Sequence, residues 1–438
     1  MTDTADIVVI GGGVIGTSTA FHLAKRGAKP LLLEKRAIGS GETHKSGGFV
    51  QTHWDHLGEV RLIAFARHVF QNWSDVVGGE CGWEQKGYLH VTGSEREANV
   101  RRTHQMLLDE HLESIWLEPA ELAKLQPLLN LDGLVGGTHE PASGWANPLT
   151  TTRSLADAAR RHGAGIREGV TVTRIVHDGT KITGVETSAG PIAAPIVILC
   201  AGPWTAELHV GEPLPIQLER GQVTYLERPG GLPDVEIGFY DEVTGLYTHP
   251  DGATNLVGID APFAKVADPE DYKRELDPEY LEGVQRALAR RLPKLAGAAL
   301  VRGVVGLYDF TPVGQPIIDG PLGLAGYYVA AGFSGTGFKS APATGLGLAE
   351  LVLDGKAHSV DLSHLTLARF APAPSLPPFP PALVTKINAL GALLSPDEQA
   401  RLVPYMTSLP PGELAAFAME LMTGDVAALA TRLRSALR

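Results

Sequence analysis

Hydrophobic and polar positions change period twice at the start of the chain. Asp6–Ile10 is a short apolar run dominated by β-branched residues and predicts a strand. Val14–Arg26 spaces its apolar residues for a helix, Gly27 ends it, and Pro30–Leu33 is a second strand. Between the first strand and the helix, Gly11, Gly13 and Gly16 fall at G-x-G-x-x-G. Gly11 permits the turn, Gly13 lets backbone approach a pyrophosphate, and Gly16 lets helix pack on strand, with Val14 and Ile15 offering first-turn amides. Glu34 follows the second strand where a carboxylate accepts hydrogen bonds from ribose hydroxyls, with Lys35 and Arg36 just beyond it. This pattern predicts a site for an ADP-containing dinucleotide.

Further along, Leu57–Val77 reads as a helix and Gly87–Thr92 as a strand. Ser94–His111 reads as a helix opened by a Ser94/Glu97 capping box, and Glu118–Gln126 as a short helix. A helix over Thr151–His162 precedes runs at Val170–His177, Ile182–Thr187 and Ile196–Cys200, the last continuously apolar as in a buried parallel strand. From Pro213 to Val305 short runs bounded by Gly, Pro and Asp predict an antiparallel or mixed sheet, with a helix at Pro278–Leu292. Residues 326–355 repeat the opening: apolar strand, glycine-rich turn, helix.

Three stretches carry candidate backbone contacts to a flat cofactor. The loop after Glu34 holds Ser40, Gly41, Thr43, Ser46, Gly47 and Gly48; a second approach is Val172 with Ala201, Gly202 and Trp204; a third is Gly332, Gly335, Thr336, Gly337, Phe338 and Lys339. Amides at the start of that last helix would stabilise negative charge on a reduced flavin ring. Lys339 is an odd cation at a helix start unless an anion is present.

A length of 438 residues suits two intertwined domains plus an appendage. The net charge of −12, with no clustered basic stripe, argues against nucleic acid. Cys81 and Cys200 are too few for a disulfide framework and lack metal-ligand spacing. No segment approaches a membrane span and the start lacks a signal-peptide pattern, so a cytoplasmic location is expected. APAPSLPPFPP at 371–381 reads as a semi-rigid linker; beyond it Ser395-Pro396-Asp397-Glu398 starts a helix, and Val426, Leu429, Leu433 and Leu437 form an apolar stripe suited to packing, dimerisation or partner docking.

The opening segment, GWANP, CAGPWT, GLYDFTPVGQPIID and AAGFSGTGFKSAPATG together resemble the FAD-dependent amine and amino-acid oxidoreductases, most of all the sarcosine oxidase β-subunit and its monomeric relatives. The resemblance covers roughly residues 5–365 and implies an α/β fold: a Rossmann-like FAD-binding domain (1–80, 145–210, 320–365), an interleaved mixed-sheet substrate domain (81–144, 211–319), a linker (366–381) and a helical extension (382–438). It implies FAD gripped between the 39–48 and 332–339 loops, and a substrate carboxylate held by Lys339, with Tyr308 and more weakly Tyr247 orienting the substrate.

Departures from the family narrow that expectation. Leu256 aligns with an oxygen-activating lysine, making a quinone or electron-transfer protein a plausible acceptor beside O2; Gly306 aligns with a flavin-tethering cysteine; and Asn147-Pro148 stands near the histidine that carries a second flavin. His44 is one residue away from another tethering histidine, so FAD is expected to be non-covalent. The expected activity is oxidation of the C–N bond of a secondary or N-methylated amino acid by hydride transfer to flavin, followed by hydrolysis of the imine. The alternatives are a D-amino-acid dehydrogenase and a flavin-carrying subunit of a larger assembly.

Overall fold

The structure, a computed structural model, describes residues 3–232, 237–371, 381–395, 398–399, 401–402, 417 and 419–436. They form two compact units, 1–369 and 370–438.

At the heart of the first unit is a six-stranded sheet in the order Ile317–Asp319, Tyr327–Ala331, Ile196–Leu199, Ile7–Ile10, Pro30–Glu34, Gly165–Glu168. Its neighbours run parallel except for the antiparallel edge strand Ile317–Asp319. Ile7–Ile10 is buried at every position, as continuous apolar runs require when both faces are covered. The helix Val14–Lys25 packs against both Gly337–Asp354 and Pro148–Arg161. The first of these contacts is close: a Cβ on Gly345 would stand 2.3 Å from Ser18 Oγ. Val9, Phe21, Leu23, Leu32, Leu155 and Leu348 lie in the resulting core, each apolar side chain contributing about 1.5–3 kcal/mol by leaving water.

The second large sheet has nine strands drawn from residues 88–140 and 217–310. Gln217–Glu227 pairs antiparallel with Leu300–Phe310 along nearly its whole length, while Gly238–Asp241 runs parallel to Tyr88–Thr92. One face is closed by Pro278–Arg291, whose Val284 and Leu288 pack on Leu89, Phe239, Leu246 and Val257. A smaller four-stranded sheet carries the Val172–His177 and Ile182–Thr187 hairpin.

Two local expectations need correction. The helix expected from Ser94 begins at Glu97, with Arg96 at its N-cap and no side-chain cap; Gly93–Arg96 closes a turn instead, so Ser94 is spent outside the helix. A reciprocal capping box does occur at Glu118/Glu121, where a carboxylate replaces the usual hydroxyl. The expected helix 57–77 is interrupted at Asn72, giving Leu57–Gln71 and Trp73–Val76.

In the second unit, Leu390, Leu394, Leu421, Leu429 and Leu433 form a small core of their own. Ser395 Oγ accepts from the Glu398 amide (3.3 Å) and the Glu398 carboxylate accepts from the Ser395 amide (2.8 Å), a reciprocal cap. Pro396, Asp397, Leu437 and most of the proline-rich stretch lie outside the described residues.

Candidate active site

The carboxyl ends of the parallel strands open onto a cleft with about 860 Å³ of empty space. Its floor is the Gly11–Gly16 turn. Gly11 has φ +109°, and a Cβ there would lie 2.3 Å from the Cys200 carbonyl oxygen; at Gly16 a Cβ would lie 2.0 Å from the Gly11 carbonyl oxygen. Only glycine fits at either position. Gly13 has no such conflict inside the protein: its Cβ would meet only Thr43 Oγ1, at 3.2 Å. The opening helix has no side-chain N-cap, and the Val14 amide donates to Thr43 Oγ1 (3.1 Å).

Glu34 is held ready by backbone. Its Oε2 accepts from Gly12 N–H and its Oε1 from Arg36 N–H, both 2.7 Å. Gly13, Val14, Ile15, Glu34, Gly41, Thr43, Val172, Ala201 and Gly202 line the cleft, as do Lys35, Arg36 and Trp204 at its far end. There the Lys35 ammonium sits 3.8 Å from the centre of the Trp204 ring. Glu270 ties the end together, bonding Lys35 (2.5 Å), Arg36 (2.6 Å) and Trp204 Nε1–H (2.9 Å).

A dinucleotide fits this cleft on the protein's own terms. Uncapped helix amides face it, two of its glycines have no room for a side chain, and beside Gly41 the buried Ser40 hydroxyl has no hydrogen-bond partner. His44 is exposed, and a Cβ on Gly306 would stand 2.7 Å from Glu42 Oε2. Asn147 caps the following helix by accepting from Thr150 N–H (2.9 Å).

The remaining predicted residues surround the deeper end. Gly48 has φ +71° and would carry a Cβ 2.1 Å from the Ala146 carbonyl; its amide donates to Ser46 Oγ (3.1 Å), and the Gly47 carbonyl lies 2.9 Å from His249 Nε2. Gly332 donates to Asp309 Oδ2 (2.8 Å), Thr336 Oγ1 to the Phe333 carbonyl (2.8 Å), and Gly337, Phe338 and Lys339 form the first turn of the closing helix.

The three residues expected to orient a substrate fall into two groups. Tyr308, on Leu300–Phe310, sits 3.3 Å from where a Gly335 Cβ would be, and its ring is 5.3 Å from Phe263. Tyr247 meets Phe49 edge-on at 5.9 Å, and buried Leu256 lies beside Gly47. Burial pushes both phenols upward, so both stay protonated donors at neutral pH. Lys339 belongs to the other group: it is 6% exposed, its ammonium is 4.4 Å from the centre of the Trp54 ring, and no hydrogen bond or ring contact links it to either tyrosine. Burial lowers it to about 8, opposed by the Glu59 and Glu140 carboxylates.

Sequence reasoning missed Glu59, Trp54, Glu140 and Glu270. Glu59 left a signal, since it shares a helical stripe with the buried Ile63, Ala66 and Phe70, where a carboxylate is out of place. Glu140 is 1% exposed and accepts from Thr52 N–H (2.8 Å), His53 N–H (3.1 Å) and Ser143 Oγ (2.8 Å), with Arg67 at 3.7 Å. Glu270 could not be seen locally, because its partners are far away in sequence.

Among known proteins, the mitochondrial sarcosine dehydrogenase of Homo sapiens is 29% identical over 389 residues, 84% of this chain but 42% of that relative. The chain thus spans less than half the length of that relative. Glycine oxidase of Geobacillus kaustophilus is 26% identical over 379 residues, covering 84% of this chain and 98% of the relative. The solved structure of L-proline dehydrogenase from P. horikoshii superposes with a TM-score of 0.78 at 27% identity, covering 84% of this chain and 98% of that one. Residues 6–351 match the family model "FAD dependent oxidoreductase", a span that runs from the first strand of the cleft through the Lys339 turn, and the chain belongs to that family.

Proposed function

We propose that this chain oxidises the C–N bond of a secondary or N-methylated α-amino acid. The observation that carries the reading is Lys339, a buried ammonium that donates no hydrogen bond to the described residues and stands at the first turn of the closing helix. Its ammonium rests on the Trp54 ring with no hydrogen-bond acceptor among the described residues, and a substrate carboxylate would supply one. Two of the relatives above are named for sarcosine and L-proline, both secondary α-amino acids.

Glu34 would hold the ribose, the amides following Gly11 the pyrophosphate, and the Gly332–Lys339 turn the ring end of FAD. The bound flavin supplies a hydride acceptor. In this reading Lys339 takes the carboxylate, Tyr308 and Tyr247 limit how the amine end can lie, and the apolar side chains of Phe49, Leu256 and Phe263 exclude water until the imine leaves to be hydrolysed. Such chemistry depends on positioning more than on a strong base. Leu256, in place of an ammonium, favours a quinone or electron-transfer protein over O2 as acceptor.

A second reading, a flavin-carrying subunit of a larger assembly, is favoured by the separate unit 370–438. Anaerobic bleaching of the flavin by sarcosine, dimethylglycine, L-proline, D-proline and other D-amino acids, followed by air, tests both. Bleaching by a secondary or N-methylated acid with slow recovery in air is expected. Bleaching by primary D-amino acids alone would replace the substrate class, and no bleaching by any of them would favour the subunit reading.

A further inference from the structure

Residues 268–277, DPEDYKRELD, run between the strand Ala264–Val266 and the helix Pro278–Arg291 without forming either element. Their root is firm. Arg220, 6% exposed on the strand Gln217–Glu227, donates to the carbonyls of Lys273 (2.7 Å) and Glu275 and to the Asp277 carboxylate (2.5 Å). Gln222 and Asp277 bond each other twice, at 2.7 and 2.8 Å. From that root the segment reaches walls of the dinucleotide cleft that come from three different parts of the chain. Glu270 holds Lys35 and Arg36, which follow Pro30–Glu34, and Trp204, which follows Ile196–Leu199. The Tyr272 hydroxyl accepts from Lys45 (2.8 Å), and Lys45 donates to Glu42 (2.7 Å), which lines the cleft beside Gly41 and Thr43. The second Glu42 oxygen accepts from Leu307 N–H (2.8 Å), in space that a side chain on Gly306 would fill. Tyr272 itself does not line the cleft.

We propose that residues 268–277 are a strap that ties the walls of the cleft together around FAD, with Tyr272 as a positioning residue that acts on the cofactor through Lys45 and Glu42. The proposal rests on the reading of this cleft as the dinucleotide site. A ligand enclosed by three walls leaves when they part, and they cannot part while both grips hold. Each grip is weak by itself: the Lys35 and Glu270 side chains are 26% and 43% exposed, and water competes for both. The strap therefore opens at its grips while its root stays bonded. By linkage, whatever factor the closed strap adds to FAD affinity, bound FAD adds to closure of the strap. Lys273 and Arg274 are exposed within this irregular stretch, so an open strap is a substrate for trypsin.

Trypsin at limiting concentration is added to apoprotein and to FAD-loaded protein, and cleavage after Lys273 or Arg274 is followed by the masses of the fragments. Bound FAD should slow nicking at these two residues about tenfold. Tyr272→Phe keeps the ring and loses only the hydroxyl; its FAD should dissociate about three- to tenfold faster and its loaded form should be nicked faster than wild type. Lys45→Met should do the same, and the double variant should release FAD no faster than Lys45→Met alone, because the hydroxyl acts through that ammonium. Equal nicking of apoprotein and loaded protein overturns the proposal, as does FAD release from Tyr272→Phe within twofold of wild type, or a double variant in which the two effects multiply. Gly13→Ala separates the two claims: if it binds FAD normally the reading of the cleft fails, and if it loses affinity while FAD gives wild type no protection from trypsin, only the strap fails.

Discussion

Gly13 and Gly16 belong to one motif, yet alanine should act on them through different physics. At Gly16 an added methyl stands 2.0 Å from the Gly11 carbonyl oxygen and 3.5 Å from Cys200 Cβ, so helix and strand must part to admit it. Overpacking of this kind costs about 1–3 kcal/mol, against a gain of about 1 kcal/mol from the better helix propensity of alanine. The clash involves backbone that cannot rotate away, so Gly16→Ala should be destabilised with or without cofactor. Gly13 sits at φ −72°, ψ 178°, which alanine adopts freely, and its methyl meets only Thr43 Oγ1 at 3.2 Å.

Gly13→Ala apoprotein should therefore unfold in urea within about 0.5 kcal/mol of wild type, the range for a substitution that disturbs no packing. Its methyl would instead occupy the path of the pyrophosphate. Losing one hydrogen bond to a charged group costs about 1.5–3 kcal/mol, or about 10- to 150-fold in flavin affinity. The assays are urea unfolding of apoprotein and titration with FAD followed by quenching of flavin fluorescence. FAD binding by Gly13→Ala within twofold of wild type, or a Gly16→Ala apoprotein as stable as wild type, would refute the reasoning.

Three further outcomes follow from buried or clasping charges. Arg291 and Asp241 are both 0% exposed and 2.7 Å apart, so Arg291→Met should leave an uncompensated buried carboxylate and cost about 3–5 kcal/mol in urea unfolding; a loss below about 1 kcal/mol would contradict this. Burial raises Asp309 from the ordinary carboxylate range to about 6, so its contribution is favourable below about pH 4 and is lost as pH rises toward 6, at about 3 kcal/mol. Asp309→Asn should flatten that slope and be the more stable protein at pH 8, unless the slope persists in the variant. Glu270→Gln loosens the Lys35, Arg36 and Trp204 clasp, whose ion pairs are partly exposed and worth about 1 kcal/mol or less each, so flavin should dissociate about three- to tenfold faster in a fluorescence-recovery assay. A rate unchanged by the substitution would show that the clasp does not retain the cofactor.

The contrast between the halves of the site follows from how far apart its parts lie in the chain. The dinucleotide end was legible because Gly11, Gly13, Gly16 and Glu34 sit on two adjacent parallel strands joined by one helix, so spacing along the chain nearly specifies spacing in three dimensions. The third glycine turn was legible for the same reason: a buried strand, Tyr327–Ala331, feeds directly into a helix that begins at Gly337. Ser94 and Glu118 show the limit of local rules. Hydroxyl and carboxylate can exchange roles at an N-cap, and the turn before the helix decides which is used.

The end around Lys339 gives a weaker lead, because its chemistry comes from burial more than from residue type. Glu59 is an ordinary residue for the first turn of a helix and Lys339 an odd one, but neither position in the chain says how deeply the side chain is buried. Burial is what sets them apart: Lys339 is 6% and Glu59 3% exposed, and Glu59 Oε1 is buried without a hydrogen-bond donor among the described residues. Desolvation makes a buried charge seek a partner, and that is the physical basis for proposing a carboxylate ligand at Lys339. Tyr247 and Tyr308 are half-buried phenols pushed further above the ordinary tyrosine range, so they are hydrogen-bond donors at neutral pH as any tyrosine is. Affinity at this end should respond to pH and to the loss of buried charge, while affinity at the dinucleotide end should respond to the space a methyl group occupies.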